Sequence, residues 1–375
     1  MSAENMSLNK IDRAAAGFAA EGRLLQKQPF GNGHINDTFL LTYEAPGGTE
    51  KKYILQRMNH TVFPNPTRLM ENIVNVTEYL QDRIASSGGN PERETLNVVK
   101  TKSGAPCFED ECHDFWRMFL YIENTLCLEK VESAEDFRDS GRAFGGFQRM
   151  LADYPAQKLY ETIPGFHNTP ARFGAFEKAV AQDKLGRASS CREEIAFALS
   201  RKEKTSVLTN LLGEGKLPLR VTHNDTKLNN ILFDKETKKA LCVIDLDTVM
   251  PGLSLYDFGD AIRFGASTGA EDEKDLTKVA LDLTLFEAFC AGYLEGCGGS
   301  LTPKEVEMLP MGAWMMTFEC GIRFLADYLE GDVYYKIHRP EHNLDRARTQ
   351  FKLAADMEAK WKEMEEIIGK YKNSL

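Results

Sequence analysis

The sequence lacks a long uninterrupted run of apolar residues. No segment reaches the ~18 apolar residues expected of a membrane-spanning helix, and residues 1–20 carry scattered charges where a signal peptide would have an apolar core. A cytoplasmic protein without a membrane partner is therefore expected.

The sequence also lacks an excess of positive charge, since its formal net charge is −10. Nucleic-acid-binding proteins concentrate Lys and Arg, so the composition argues against nucleic acid as a partner.

Cysteine pairs at metal-binding or redox spacing are also missing. The chain has eight cysteines, none in a Cys-x-x-Cys pair, and several lie in apolar runs such as Leu241-Cys242-Val243. This pattern predicts buried thiols and not a disulfide framework or a zinc site. Internal repeats and low-complexity tracts are absent as well. Because single hydrophobic cores usually stop growing near ~250–300 residues, a chain of 375 residues predicts two lobes.

In the first third of the chain, the spacing of apolar residues is typical of β-strands. Residues 38–43 and 53–57 flank a Pro-Gly-Gly turn and predict a β-hairpin. A helix is expected to start at Asn65-Pro66, where Asn caps the helix and Pro suits its first turn. Further strands are expected at 96–99 and 116–122. These elements predict a small sheet with one long helix.

Beyond Ile122 the pattern is helical, apart from a second hairpin predicted at 231–233 and 240–245. A capping box is expected at Thr302. The sequence therefore predicts an α+β fold. Its N-terminal lobe, residues 1–121, is assigned to nucleotide binding, and its large α-helical lobe, residues 122–375, to catalysis and substrate binding.

The chemistry is concentrated in residues 223–230, which read His-Asn-Asp-Thr-Lys-Leu-Asn-Asn. Asp225 is followed five residues later by Asn230 and, after the second hairpin, by Asp245. Phosphoryl transfer needs a carboxylate that orients or deprotonates the attacking hydroxyl, together with oxygen ligands for Mg²⁺, and kinase catalytic loops provide them at this spacing. The sequence therefore predicts Asp225 as the catalytic base, with Asn230 and Asp245 as metal ligands.

Four neighbouring residues receive supporting roles. Asp247 is expected either to reach a second metal or to hydrogen-bond the loop. Lys227 either neutralises charge on the transferring phosphoryl group or is a solvated lysine. His223 is expected to hold the loop through its ring nitrogens, and Asp257 to brace the loop from below.

A Gly-rich segment, residues 30–37, is the candidate phosphate loop, although such a segment is often only a hairpin turn. The strand that should supply a phosphate-binding lysine ends in Gln56-Arg57, and Arg57 is the expected substitute. Strand alternation lets only one of these two face the nucleotide, and either Glu71 or Glu78 should pair with Arg57. The residues assigned to the nucleotide are Gly31, Asn32, Gly33, His34, Asn36, Arg57 and Leu120.

These motifs resemble the aminoglycoside phosphotransferase and choline kinase family, which has a two-lobed protein-kinase-like fold. The resemblance is carried by residues 53–59, 163–169, 223–230, 243–252 and 321–329. Within the family it is strongest to N-acetylhexosamine 1-kinases. It implies phosphorylation of the anomeric hydroxyl of N-acetylglucosamine or N-acetylgalactosamine, with ATP as co-substrate and Mg²⁺ as cofactor.

The resemblance also implies that Arg323 and Tyr334 contact the sugar beside Asp225. The residues alone favour ion pairs of Arg323 with Glu319 and Asp327, four positions away on either side. His167 either lines the sugar pocket or caps a helix.

Two other functions remain possible from the sequence: a kinase of an aminoglycoside, amino alcohol or methylthio-sugar, and an inactive kinase-like binding module. The oligomeric state is not predicted.

Overall fold

A computed structural model describes residues 8–31 and 35–372. The chain divides into two compact units. The first unit comprises residues 1–126, 158–163 and 232–250, and the second comprises residues 127–157, 164–231 and 251–375. The boundary predicted after Tyr121 lies near the first of these divisions, but two later segments also belong to the first unit.

The strands of the described residues, in chain order, are β1 (Arg23–Pro29), β2 (Asp37–Glu44), β3 (Glu50–Met58), β4 (Val98–Val99), β5 (Phe108–Glu109), β6 (Phe115–Leu120), β7 (Thr125–Leu126), β8 (Arg220–Thr222), β9 (Ile231–Asp234), β10 (Ala240–Val243) and β11 (Met250–Gly252). The α-helices are α1 (Leu8–Ala16), α2 (Pro66–Ser86), α3 (Pro91–Glu94), α4 (Ala134–Met150), α5 (Thr169–Gln182), α6 (Arg192–Leu199), α7 (Val207–Gly213), α8 (Ser254–Gly265), α9 (Leu283–Cys297), α10 (Pro303–Glu307), α11 (Leu309–Glu330), α12 (His342–Ala359) and α13 (Trp361–Lys372).

The first unit is built on an antiparallel sheet with strand order β1-β2-β3-β6-β4, to which β5 adds by pairing with β6. The β2–β3 hairpin confirms the first predicted hairpin. One face of this sheet packs with α1, and the buried core there includes Ile11, Phe39, Leu55 and Met118. Since strand side chains alternate between faces, the neighbouring residues of β3 and β6 point to the other face.

Helix α2 begins as its sequence predicts. The side chain of Asn65 accepts a hydrogen bond from the backbone N–H of Arg68, and Pro66 occupies the first turn. The amide of Asn72, in the same helix, donates to the carbonyl oxygens of Tyr160 and Val249 at 2.8 and 3.0 Å. These two bonds tie both later segments of the first unit to α2.

The β9–β10 hairpin confirms the second predicted hairpin and extends through β7 into a three-stranded sheet. In the second unit, Thr302 and Glu305 form the predicted capping box at the start of α10. The prediction of a mixed α+β chain with β-structure first and helices later is confirmed.

The second unit contains a close crossing of helices α4 and α9. Glycines spaced four apart lie on both sides of it, Gly141 and Gly145 on α4 and Gly292 and Gly296 on α9. A Cβ atom at any of these positions would overlap backbone atoms of the opposite helix. Only glycine therefore permits the backbones to approach this closely.

All eight cysteines lie within the described residues and are free thiols. Burial is less uniform than expected, because Cys112 and Cys127 are exposed while Cys191, Cys242, Cys290 and Cys297 are buried. Within residues 8–31 and 35–372, none of the helices has the length and apolar character needed to cross a membrane.

Candidate active site

The loop after β8 carries the predicted catalytic residues in the second unit. The Asp225 carboxylate accepts hydrogen bonds from Lys227 at 2.6 Å and from the amide of Asn230 at 3.1 Å. Its backbone N–H points to Nδ1 of His223 at 3.3 Å. The loop therefore brings the predicted base, cation and metal-binding amide into direct contact.

The loop is held by a buried carboxylate on α8. Asp257 accepts hydrogen bonds from the backbone N–H groups of His223 and Asn224 and from the side chain of Gln148. Burial raises the pKa of Asp257, although the charge of His223 and the backbone hydrogen bonds act in the opposite direction. Asn224 has a φ of 65°, a left-handed conformation that Asn tolerates better than most residues. This strained position lies next to Asp225, and Asp257 holds it.

The ring of His223 packs against α4. Its centroid lies 5.6 Å from that of Phe144 and 6.0 Å from that of Phe147. The side chain is fully buried. Helix α4 therefore supports the loop through two aromatic rings.

Lys227 faces a second carboxylate besides Asp225. Burial alone would lower the pKa of Lys227, but the negative charges of Asp225 and Asp260 outweigh it and the net shift is upward. Lys227 is thus an ammonium at neutral pH. Asp260 also accepts a hydrogen bond from the backbone N–H of Thr226 and pairs with Arg263.

The predicted metal ligands are oxygen donors, the type that Mg²⁺ prefers. The amide nitrogen of Asn230 donates to Asp225, both to its carboxylate and to its carbonyl oxygen at 2.8 Å, which turns the amide oxygen of Asn230 away from that carboxylate. This orientation fits a metal-binding role. Asp245, in the first unit, has a φ of 58°. The backbone at this position suits Asp and Asn better than other side chains.

Asp247 lies in the interior of the first unit, where only 7% of its side chain is exposed. One carboxylate oxygen accepts a hydrogen bond from Arg117 and the other from the amide of Asn36 at 2.8 Å. Asn36 in turn accepts from the backbone N–H of Asn59. The sequence assigns Asn36 to the nucleotide and lets Asp247 either reach a second metal or hydrogen-bond the loop, and in the structure the two side chains hydrogen-bond each other.

The sequence reading did not single out Arg117. It lies in β6, is 2% exposed, and donates to Gln56 as well as to Asp247. A charged residue inside the apolar run Trp116-Arg117-Met118-Phe119 was the available signal, because a buried guanidinium must have a partner.

The geometry argues against Arg57 as the phosphate ligand. Arg57 pairs with Asp37 and Asp114 instead of with Glu71 or Glu78, and Glu78 pairs with Lys100. Strand register sets Gln56 opposite Arg117 and Arg57 opposite Trp116, so Arg57 faces away from Asp247.

Leu120 lies on the same side as Arg57, because its side chain packs against the core under α1. The face that carries Gln56 and Arg117 is the one that reaches Asp247. Gly31 has a φ of 74°, which favours glycine. Asn32, Gly33 and His34 lie outside the described residues.

Arg323 lies on α11 of the second unit, surrounded by aromatic rings. Its guanidinium carbon is 5.5 Å from the ring centroid of Phe166, 6.0 Å from that of Tyr334 and 5.6 Å from that of Tyr335. These are cation–π distances. Tyr334 itself is 65% exposed.

The ion pairs that the sequence favoured for Arg323 do not form. Glu319 accepts hydrogen bonds from His167 at 2.9 Å and Thr169 at 2.6 Å. Asp327 accepts from the backbone N–H groups of residues 333–335 and from Asn343. Both carboxylates have other partners, so Arg323 is left with its aromatic surroundings.

Replacing Arg117 by Met should lower the free energy of unfolding by about 3–5 kcal/mol, because it leaves the buried Asp247 carboxylate without its cation. Urea denaturation measures this loss. Arg13→Met is the matched control: Arg13 is 67% exposed and pairs with Glu111 at the surface, where a pair contributes about 0–1 kcal/mol. The double variant Arg117→Met/Asp247→Leu should be more stable than Arg117→Met alone. Equal losses for Arg117→Met and Arg13→Met would contradict a buried ion pair.

Comparison with known proteins places this geometry in a family. The chain matches the APH phosphotransferase enzyme family over residues 27–295, well over half of its length. Several solved structures share the fold at low sequence identity. A microcompartment-associated aminopropanol kinase is 16% identical with a TM-score of 0.58, and the match covers 96% of this chain and 99% of the other.

An aminoglycoside phosphotransferase from Alicyclobacillus acidocaldarius is 12% identical with a TM-score of 0.59, covering 97% and 96% of the two chains. A choline kinase from Cryptosporidium parvum is 12% identical with a TM-score of 0.53, covering 90% of each. The predicted protein-kinase-like fold is thereby confirmed. The chain belongs to the APH phosphotransferase family and is a small-molecule phosphotransferase.

Proposed function

We propose that this phosphotransferase transfers the γ-phosphoryl group of ATP to the anomeric hydroxyl of an N-acetylhexosamine and forms the sugar 1-phosphate. The motifs of the sequence suggest this acceptor. The observation that carries it furthest is Arg323, a guanidinium that aromatic rings surround and that has no carboxylate at ion-pair distance among the described residues.

Asp225 acts as the base in this proposal. Its carboxylate accepts the proton of the sugar O1 hydroxyl while the O1–phosphorus bond forms and the bond from the γ-phosphorus to the β,γ-bridging oxygen breaks, so that ADP leaves. Lys227, 2.6 Å from Asp225, offers positive charge as the phosphoryl group moves. Asn230 and Asp245 each offer an oxygen ligand of the type that Mg²⁺ prefers, and Mg²⁺, when bound, would neutralise phosphate charge.

The charges around Arg323 favour a neutral acceptor over a cationic one. Cationic ligands such as choline, amino alcohols or aminoglycosides need uncompensated carboxylates or open aromatic faces. Glu319 hydrogen-bonds His167 and Thr169, while Asp260 pairs with Arg263. The aromatic rings near Arg323 already hold a guanidinium. A neutral sugar, in contrast, can accept hydrogen bonds from its N–H groups.

Phosphorus NMR of the purified protein with ATP, Mg²⁺ and a panel of acceptors tests the proposal. N-acetylglucosamine or N-acetylgalactosamine should yield a new phosphate doublet coupled to an anomeric proton, whereas choline, ethanolamine and an aminoglycoside should yield none. Arg323→Ala should raise KM for the sugar far more than KM for ATP. A doublet from a 6-phosphate, or turnover restricted to a cationic acceptor, would rule out the 1-kinase assignment.

A further inference from the structure

His167 has one ring nitrogen in use and one without a partner. Nδ1 faces Glu319 at 2.9 Å, and 91% of the side chain is buried, since its exposed fraction is 9%. Nε2 is shielded from solvent and has no hydrogen-bond partner among the described residues. A buried polar atom without a partner costs about 1–3 kcal/mol, and in a native structure it calls for an explanation.

Glu319 fixes which nitrogen carries the proton. Burial alone would raise the pKa of Glu319, but the charge and hydrogen bond of His167, the charge of Arg323 and the hydrogen bond of Thr169 outweigh it, and its pKa is lowered. Glu319 is therefore a carboxylate, which can only accept, so Nδ1 of His167 is the nitrogen that donates an N–H to it. In the neutral tautomer of imidazole that carries its proton on Nδ1, the lone pair lies on Nε2.

Packing places His167 next to both parts of the second unit that matter for phosphoryl transfer. Its ring centroid lies 5.0 Å from that of Tyr256 on α8, the helix that carries the loop-bracing Asp257. The ring centroid also lies 4.5 Å from that of Phe166, which packs against the Arg323 guanidinium. The His167 ring and the Arg323 guanidinium thus both pack against the ring of Phe166.

We propose that His167 is a specificity-determining residue that accepts a hydrogen bond through Nε2 from the acetamido N–H of the sugar, while Arg323 donates to the acetamido carbonyl oxygen. This inference rests on the proposed function and deepens it. An acetamido group has one donor and one acceptor, and the pair His167 and Arg323 has one of each. A hexose hydroxyl at the same carbon lacks the carbonyl acceptor, and an ammonium is repelled by Arg323.

Two substitutions separate the hydrogen bond from the packing. His167→Asn retains an N–H that can reach Glu319 but has nothing at the place of Nε2. His167→Gln extends an amide oxygen toward that place. His342→Asn is the matched control, because His342 is a buried histidine of the same unit whose Nε2 pairs with Asp272 and whose Nδ1 accepts from the backbone N–H of His338.

The measurement is kcat/KM for N-acetylglucosamine and for glucose. We expect His167→Asn to raise KM for N-acetylglucosamine about 10- to 100-fold while KM for ATP and the values for glucose change little, and His167→Gln to recover part of the loss. His342→Asn should leave the ratio between the two sugars unchanged. Equal losses on both sugars for His167→Asn, or no loss, would overturn the proposal.

The wild-type protein gives an independent check that needs no variant. In 2-O-acetylglucose an ester oxygen replaces the acetamido N–H, while the carbonyl is kept. The wild-type protein should phosphorylate this sugar less efficiently than N-acetylglucosamine by a similar factor, and equal efficiency would overturn the role of His167. If N-acetylhexosamines are not phosphorylated at all, the proposed function itself fails. Turnover without selection for the N–H refutes only the inference.

Discussion

Asp225→Asn should lower kcat by about 10²–10⁴, the usual range for loss of a positioned general base. The substituted amide is close in size to the carboxylate and can still contact Asn230, so the loop that Asp257 holds should keep its shape. The change removes the basic oxygen and leaves Lys227 without its carboxylate partner at 2.6 Å. Steady-state kinetics with a coupled ADP assay measures the loss.

Two further measurements show whether this loss belongs to the chemical step. The affinity for ATP, measured by calorimetry, should remain within a few-fold of wild type. Asp275→Asn changes an exposed carboxylate of the same unit, one that caps a short turn at Thr277, and should leave kcat unaltered. Near-normal turnover of Asp225→Asn would remove Asp225 from the role of base.

Asp245→Asn is expected to lower kcat by about 10²–10³, as for loss of one electrostatic contact to the reacting phosphoryl group. Asn can adopt the backbone conformation of Asp245, so the substitution should change the charge without straining the fold. Asp245 has a φ of 58°, and Asn is among the few residues that adopt this conformation readily. The fold should therefore survive while the carboxylate charge that we expect to bind Mg²⁺ is lost.

A titration of activity with Mg²⁺ separates metal binding from folding. The half-saturating concentration of Mg²⁺ should rise in Asp245→Asn while the thermal midpoint stays near that of wild type. Lys238→Asn is the matched control, because Lys238 also has a positive φ, of 60°, on the hairpin that precedes Asp245. Unchanged Mg²⁺ dependence in Asp245→Asn would show that this carboxylate does not bind the metal.

Local patterns in the sequence predicted the elements well. The two hairpins, the Asn65 cap of α2 and the Thr302 capping box all depend on residues close to one another in the chain. The hydrogen bonds that form these elements join residues that are close in sequence. For the same reason, the bonds within the loop 223–230 follow from its own spacing.

The choice between the faces of the sheet could not be made in this way. Alternation shows that Gln56 and Arg57 point to opposite sides, but not which side meets Asp247. That depends on α1, which covers the side of Leu55 and Met118, and on Asp247, which is 130 residues from its partner Arg117.

Arg323 illustrates a second limit of sequence reading. Carboxylates four residues away on either side predict ion pairs along a helix. Glu319 instead bonds His167 and Thr169, which come from a segment more than 140 residues earlier in the chain. Residues four apart on a helix are close enough to form an ion pair, but a residue that is distant in sequence can bind the carboxylate instead.

The glycines at the crossing of α4 and α9 have a consequence for how this enzyme can change. Phe144 and Phe147 of α4 pack against His223. The position of α4, which its close packing with α9 determines, therefore affects the position of the loop that carries His223. A single added methyl group at Gly145 would collide with the carbonyl oxygen of Tyr293, so the two helices would have to move apart. A side chain therefore cannot be added at this crossing without moving a helix whose aromatic rings contact the loop that carries Asp225.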